Sequence, residues 1–361
     1  MTESMYAVIL AGGRGERFWP LSTQACPKQL LSLVGDKPLL RQAVDRLEGL
    51  IPPERVYVIT NEDLVEASQQ AAPQLPHENI IGEPMGRDTA AAAALGAVLV
   101  KARDPKASFC ILTADHIIGD PDVYQATLRE SLQLAQEEDV LITIGIPPTE
   151  PSTGYGYIEA TDTRDERGGV EFLEANRFVE KPDRETAEKY VAAGTYFWNS
   201  GMFIWSVHAL EQALRRHRPV LADMMERLLP WVKTPDFLIE LAREYDALEK
   251  ISIDYALMEK ADNILMVRGT FAWDDVGSWP ALENHFTPNE DGNITIGNCA
   301  ALDADGNIVY SKDRLTALIG VQDLVVVQAK GVTLICPRAR AQDVKKLVDK
   351  LRQNGSYDGL L

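Results

Sequence analysis

The stretch Tyr6-Ala-Val-Ile-Leu-Ala-Gly-Gly-Arg-Gly-Glu-Arg-Phe-Trp-Pro-Leu-Ser22 joins an unbroken apolar run to a glycine-rich loop. Tyr6–Leu10 has no polar alternation, which predicts a strand covered on both faces. The glycines let backbone N–H groups come close to a phosphate. Two familiar phosphate loops do not fit. Gly-Lys-Ser/Thr after four intervening residues is absent, and Gly13-x-Gly15-x-x reaches Phe18 where a dinucleotide fingerprint needs Gly or Ala. Pro20 stops a long helix from following directly. What remains is Gly-Gly-x-Gly-x-Arg and then Pro27-Lys28-Gln29, with three basic residues (Arg14, Arg17, Lys28) against one acid, Glu16. Planar Arg forks, a Lys point charge and backbone donors together suit a triphosphate. A tight strand-to-helix turn with solvated arginines is the other reading of the same residues.

Outward from this loop the pattern alternates. Val56–Thr60, Ser108–Thr113 and Val140–Ile146 are further apolar runs that predict buried strands. Helices are expected at Pro38–Leu50, Asp88–Ala102 and Pro121–Gln136, the last with Pro near its start. Such alternation indicates a parallel sheet with helices on both faces. The texture then changes: strands at Tyr155–Ala160, Val170–Val179, Trp198–Trp205 and Ile264–Val267, a helix at Arg184–Ala193, and mostly helix over Leu210–Lys260. Asn293–Pro337 has short Val/Ile runs broken by Gly and Asp-Gly, and a helix is expected near Ala341–Leu351. The turn cluster at 286–292 predicts a boundary, dividing the chain into 1–288 and 289–361.

Composition limits the function. The 361 residues carry 36 Lys+Arg against 54 Asp+Glu, a net charge of −18, with 45% hydrophobic and 25% charged residues. This is a globular composition, and its sign argues against nucleic acid or an anionic membrane as partner. The four cysteines are widely spaced, which argues against a disulfide framework or structural zinc and suits a reducing compartment. Cys26 precedes Pro27-Lys28; proximity to a nucleotide and an inert small residue are both open readings. The start lacks a basic n-region, and the longest apolar run, Ala90–Val100, is too short to span a bilayer. A cytoplasmic protein is expected.

Several further motifs follow in order: PKQLL, GEPMGRDTA, LTADH, RFVEKP, WNSGMFIW and WDDVGSW. With AVILAGGRGERFWPLS they resemble the sugar nucleotidyltransferases, from Tyr6 to about Trp279, and within that family the members that use GTP and mannose 1-phosphate. The resemblance implies an α/β fold: a Rossmann-like domain with a mainly parallel, mixed sheet, plus a small β-helix-like C-terminal domain. It also implies transfer of GMP to the sugar phosphate with release of pyrophosphate, aided by Mg²⁺.

Each site residue has a physical rationale beside this resemblance. Asp115 follows a strand's carboxyl end, where open sheets bind ligands, and Asp275 lies in Trp-Asp-Asp-Val-Gly-Ser-Trp. Two hard carboxylates suit Mg²⁺, which keeps waters; the resemblance assigns both as metal ligands, although acids at strand ends also cap turns. Arg17 and Lys28 join them as catalytic groups. Leu10, Ala11, Gly12, Gly13, Arg14 and Gly15 are matched to nucleotide binding, as are Glu83, Arg87 and Thr89, where Glu83 or a nearby backbone group would read guanine; Thr89 equally suits a helix cap. Lys181 is matched to the sugar phosphate and Glu180 to sugar hydroxyls, with Gly156 and Asn199 beside them. Phe197, Trp198, Phe203 and Trp205 read as core rather than as a sugar platform. The same reaction on another hexose phosphate or nucleotide is an alternative. So is a non-catalytic nucleotide-sugar-binding protein, against which Arg17, Lys28, Asp115, Lys181 and Asp275 all stand. The stripe Val344, Leu347, Val348 and Leu351 must pack on something: its own domain, or a second copy in a homodimer.

Overall fold

The structure is a computed structural model and describes residues 4–355 and 357–361. Its strands are β1 (Met5–Ala11), β2 (Val56–Asn61), β3 (Ile80–Glu83), β4 (Ser108–Thr113), β5 (Ile117–Ile118), β6 (Leu141–Ile146), β7 (Tyr157–Arg167) and β8 (Val170–Val179). They continue with β9 (Tyr196–Ser206), β10 (Ile264–Arg268), β11 (Trp273–Asp274), β12 (Ile294–Leu302), β13 (Ile308–Ile319), β14 (Leu324–Ala329) and β15 (Val332–Pro337). Helices α1 (Leu39–Asp45), α2 (Val65–Ala71), α3 (Asp88–Arg103), α4 (Pro121–Glu137) and α5 (Arg184–Ala193) precede α6 (Val207–His217), α7 (Pro219–Leu228), α8 (Phe237–Asp246) and α9 (Val344–Asn354).

The chain forms two compact units that are interleaved in sequence. The first holds residues 1–12, 43–114 and 118–273; the second holds 13–42, 115–117 and 274–361.

The first unit is built on a nine-stranded sheet in the order β3-β2-β1-β4-β9-β6-β10-β8-β7. The ladders β3-β2-β1-β4 and β6-β10 are parallel, and β9 runs antiparallel between β4 and β6. The expected mainly parallel, mixed sheet is therefore present. The apolar runs of β1, β2, β4 and β6 are buried on both faces. In α3 every residue from Ala90 to Val100 is buried, so this apolar run is a core helix. Among the described residues no helix is long and apolar enough to cross a membrane.

The second unit carries a four-stranded sheet in the order β12-β13-β14-β15. Its core combines Phe18, Trp19, Leu31 and Leu33 with Val276, Trp279, Ile294, Ile308, Tyr310, Val325 and Val327. Val344 and Val348 of α9 belong to the same core, and Leu351 packs against it. Arg352 pairs with Glu16 at 2.8 Å. The α9 stripe thus docks within its own unit and leaves Leu347 39% exposed.

Some expectations shift. The first helix ends at Asp45, not Leu50, because Leu47 and Leu50 enter tight turns around Gly49 at φ 82°. The strand expected at Tyr155–Ala160 runs on to Arg167 as a bulged, polar ladder with β8. Leu210–Lys260 is broken into α6, α7 and α8, then one π-turn at Asp254–Met258.

Candidate active site

In the second unit the loop closes on Lys28. Gly15 sits at φ 62°, and a Cβ there would overlap Lys28 Cβ, so only glycine fits. Phe18 N and Ser22 Oγ both donate to Gly15 O, at 3.0 and 2.7 Å. Arg14 and Arg17 are exposed, and Arg17 Nη1 reaches Gly277 O at 3.5 Å. Lys28 is only 5% exposed. Its ammonium donates to Asp115 Oδ2 at 2.9 Å and to the backbone oxygen of Asp275. Burial pushes the Asp115 carboxyl up, but the Lys28 ammonium, with His116 at 3.9 Å, outweighs it and holds the group below the usual carboxylate range.

The two acids in Trp-Asp-Asp-Val-Gly separate by their partners. Asp274 accepts from Val276 N at 2.7 Å, Asn284 Nδ2 at 2.8 Å and lies 2.9 Å from His285 Nε2. It anchors the turn. The Asp275 carboxylate instead lies over Gly277, 3.2 Å from where a Cβ would stand. Among the described residues no group of three or more His, Cys, Asp and Glu is set to hold a metal. The Asp115 carboxylate and the Asp275 backbone oxygen both meet the Lys28 ammonium, and hard carboxylates such as those of Asp115 and Asp275 suit a divalent cation that takes its remaining ligands from phosphate and water.

In the first unit Gly156, Glu180, Lys181 and Asn199 come together. Asn199 N donates to Gly156 O at 2.8 Å, and Lys181 Nζ donates to Glu180 Oε1 at 2.6 Å. A Cβ on Gly156 would stand 2.6 Å from Glu180 Oε2, so the glycine lets that carboxylate lie close against the backbone. The sequence reading missed Asp254 in this cluster. Asn199 Nδ2 donates to Asp254 Oδ1 at 2.7 Å. Burial pushes the Asp254 carboxyl up to about 6, Asn199 opposes it, and Glu180 adds to the rise. Asp254 opens the π-turn, a distortion frequent at functional sites. Its signal was a single acid between Ile253 and Tyr255 in a stretch read only as helix. Phe197, Trp198, Phe203 and Trp205 are buried, as core residues should be.

Elsewhere in this unit Leu10 and Ala11 end β1, followed by exposed Gly12. The segment Glu83–Ala90 is bound along its length to Tyr245–Ile253. Tyr245 Oη donates to Glu83 Oε1 at 3.1 Å. Arg87 donates to the carbonyls of Tyr245 at 2.8 Å and Asp246 at 2.9 Å. Ile251 N donates to Arg87 O, and Ile253 N to Thr89 Oγ1. Arg87 and Thr89 therefore brace the backbone, and the Thr89 hydroxyl does not cap α3.

A covered α/β sheet and a glycine loop closed on a buried lysine that holds the Asp115 carboxylate and the Asp275 backbone are features of an enzyme that handles nucleotide phosphates. Residues 6–291 match the nucleotidyl transferase family and residues 297–351 the MannoseP isomerase/GMP-like beta-helix domain; the chain belongs to the nucleotidyl transferase family. It is 38% identical to the mannose-1-phosphate guanylyltransferase of Escherichia coli strain K12, over 98% of this chain and 75% of that protein. The mannose-1-phosphate guanylyltransferase of Klebsiella pneumoniae is also 38% identical, over 96% and 74%. A crystal structure from Thermus thermophilus, described as a mannose-1-phosphate geranyltransferase, has a TM-score of 0.85 and 37% identity, covering 97% of this chain and 99% of that one.

Proposed function

We propose that the chain transfers GMP from GTP to mannose 1-phosphate, giving GDP-mannose and pyrophosphate. The observation that carries this reading is the near full-length similarity to mannose-1-phosphate guanylyltransferases, in a chain whose Lys28 bridges Asp115 and the Asp275 turn. The chemistry is assigned to residues 1–288, and 289–361 to the small β-rich domain.

An oxygen of the sugar phosphate forms a bond to the α-phosphorus of GTP. The bond from that phosphorus to the α,β-bridging oxygen breaks, and pyrophosphate leaves with the electron pair. A phosphate monoester is mostly ionised at neutral pH, so no general base is required. Catalysis is positioning and neutralisation of charge. Leu10–Gly15 carries the nucleotide phosphates on its amides, with Arg14 and Arg17 on the leaving pyrophosphate. Lys28 stabilises charge on the transferring group. Asp115 and Asp275 would hold Mg²⁺, which supplies further neutralisation when bound. Lys181 takes the sugar phosphate, while Glu180, Asn199 and Gly156 face sugar hydroxyls. Glu83 reads the base, on a segment held by Arg87 and Thr89. The setting is cytoplasmic, without nucleic-acid or membrane partners; a homodimer through α9 has little apolar surface left beyond Leu347.

The test is pyrophosphate release across a panel of nucleoside triphosphates and hexose 1-phosphates, with and without a chelator. GTP with mannose 1-phosphate should be fastest, and Mg²⁺ should restore chelated enzyme. A faster pair elsewhere in the panel would replace this substrate assignment.

A further inference from the structure

Tyr245 lies in the last turn of α8 in a wholly buried position, within a large apolar cluster. A buried phenol needs a partner, and its hydroxyl donates to Glu83 Oε1. Its carbonyl is fixed by Arg87, so the residue is held at both ends. Glu83 is 7% exposed. Its other oxygen, Oε2, lies 3.6 Å from where a Cβ on Gly12 would stand, and so faces the end of the nucleotide loop.

The protonation state of this carboxyl decides which base it can pair. The Watson–Crick edge of guanine presents two donors, N1–H and the N2 amine. Adenine presents an acceptor, N1, and a donor, the N6 amine. An ionised carboxylate only accepts, which complements guanine and opposes the adenine N1 lone pair. A protonated carboxyl offers one donor and one acceptor, which complements adenine. Three neighbouring elements bear on Glu83. Tyr245 comes from α8, Asp88 from the start of α3, and uncharged Asn61 lies across from it on β2. Burial pushes the Glu83 carboxyl up to about 7, the Tyr245 hydrogen bond pulls it down, and Asp88 pushes it up. The group is therefore balanced near neutrality.

We infer that Tyr245 is a specificity-positioning residue: its hydroxyl, donating to Glu83, biases that carboxyl toward the acceptor-only form, so that the enzyme prefers guanine to adenine. This rests on the guanylyl reading above. The experiment is the ratio of kcat/KM for GTP to that for ATP, from about pH 6 to about pH 8.5; the ratio cancels titration of the shared triphosphate. In the wild type it should climb with pH as Glu83 ionises. Tyr245→Phe should raise the GTP KM about tenfold, the effect of losing a hydrogen bond to a charged group. It should leave kcat nearly unchanged, lower the ratio and move its midpoint to higher pH. Glu83→Gln, a fixed donor and acceptor, should give a low ratio that is flat with pH. A folded Tyr245→Phe enzyme with the wild-type ratio and midpoint overturns the inference. So does a Glu83→Gln ratio that still climbs, even where Tyr245→Phe does not fold. A wild type that releases no pyrophosphate from GTP overturns the guanylyl reading itself, and this inference with it.

Discussion

At the scale of single residues, Lys28 has the most concentrated role. It is nearly buried and holds both Asp115 and the Asp275 carbonyl. Lys28→Ala should lower turnover by about 10²–10³, the usual effect of removing one electrostatic donor. Lys181 is 62% exposed at its side chain, stands at φ 42° before Pro182 and is tied to the neighbouring Glu180. Lys181→Ala should therefore act mainly on the KM for sugar phosphate. Steady-state kinetics in which both variants look like the wild type would defeat these assignments. Asp254 gives a stability prediction with a definite sign. Burial raises its carboxyl from an ordinary 3.8 to about 6 in the folded chain, so the folded state binds the proton more tightly. Its contribution is complete below about pH 4 and is lost as pH rises through about 6. The unfolding free energy of the wild type minus that of Asp254→Asn should fall by roughly 1–3 kcal/mol across that window and stay level above it. Urea unfolding at a series of pH values measures this; a difference that rises with pH would refute it.

At the scale of elements, legibility followed how local the signal was. The strands β1, β2, β4 and β6 are continuous apolar runs, and they form where those runs stand. β3 is four residues, too short to show a period, although it is the edge strand that delivers Glu83. The polar half of β7 reads as loop because its Thr, Asp and Arg side chains are mostly exposed and its ladder is repeatedly bulged. Lys28, Asp115 and Asp275 were legible because each stands in a distinctive local motif. Tyr245 and Asp254 were not, because their partners Glu83 and Asn199 lie 162 and 55 residues away. For α9 the helical period was plain in the sequence, but the partner was not. Val348 is 2% exposed in the core of its own unit, one residue from Leu347 at 39%. Val348→Asp buries a charge without a partner and should cost roughly 3–5 kcal/mol. Leu347→Asp should stay within about 0.5 kcal/mol, with the mass in light scattering unchanged. A lower mass for Leu347→Asp would identify that face as a dimer contact.

At the scale of the whole molecule, chain order and packing do not coincide. A linear division near residue 288 separates the two matched families, at 6–291 and 297–351. The second compact unit instead gathers 13–42 and 115–117 with 274–361. The glycine loop from Gly13 onward, Lys28, Asp115 and Asp275 all belong to it. Their support is one core in which Phe18, Trp19 and Trp279 pack with Ile294, Ile308, Tyr310, Val325 and Val327. Phe18 and Trp279 have ring centroids 5.1 Å apart, and Trp279 and Tyr310 5.6 Å. A chain ending at residue 290 would keep every residue assigned to the chemistry and lose half of that core. Removing several large apolar partners costs several times the roughly 2–5 kcal/mol of a single core truncation, more than the ~5–15 kcal/mol that holds an ordinary domain together. The shortened chain should therefore release no pyrophosphate, and its summed tryptophan emission should shift toward that of a solvated indole as Trp279, now 0% exposed, opens to water. The first unit has its own core of Tyr6, Val8, Leu95, Phe109 and Trp205, so a cooperative melting transition should survive. Near-native turnover from the shortened chain, with its tryptophan emission unshifted, would show that the β-rich residues do not support the loop.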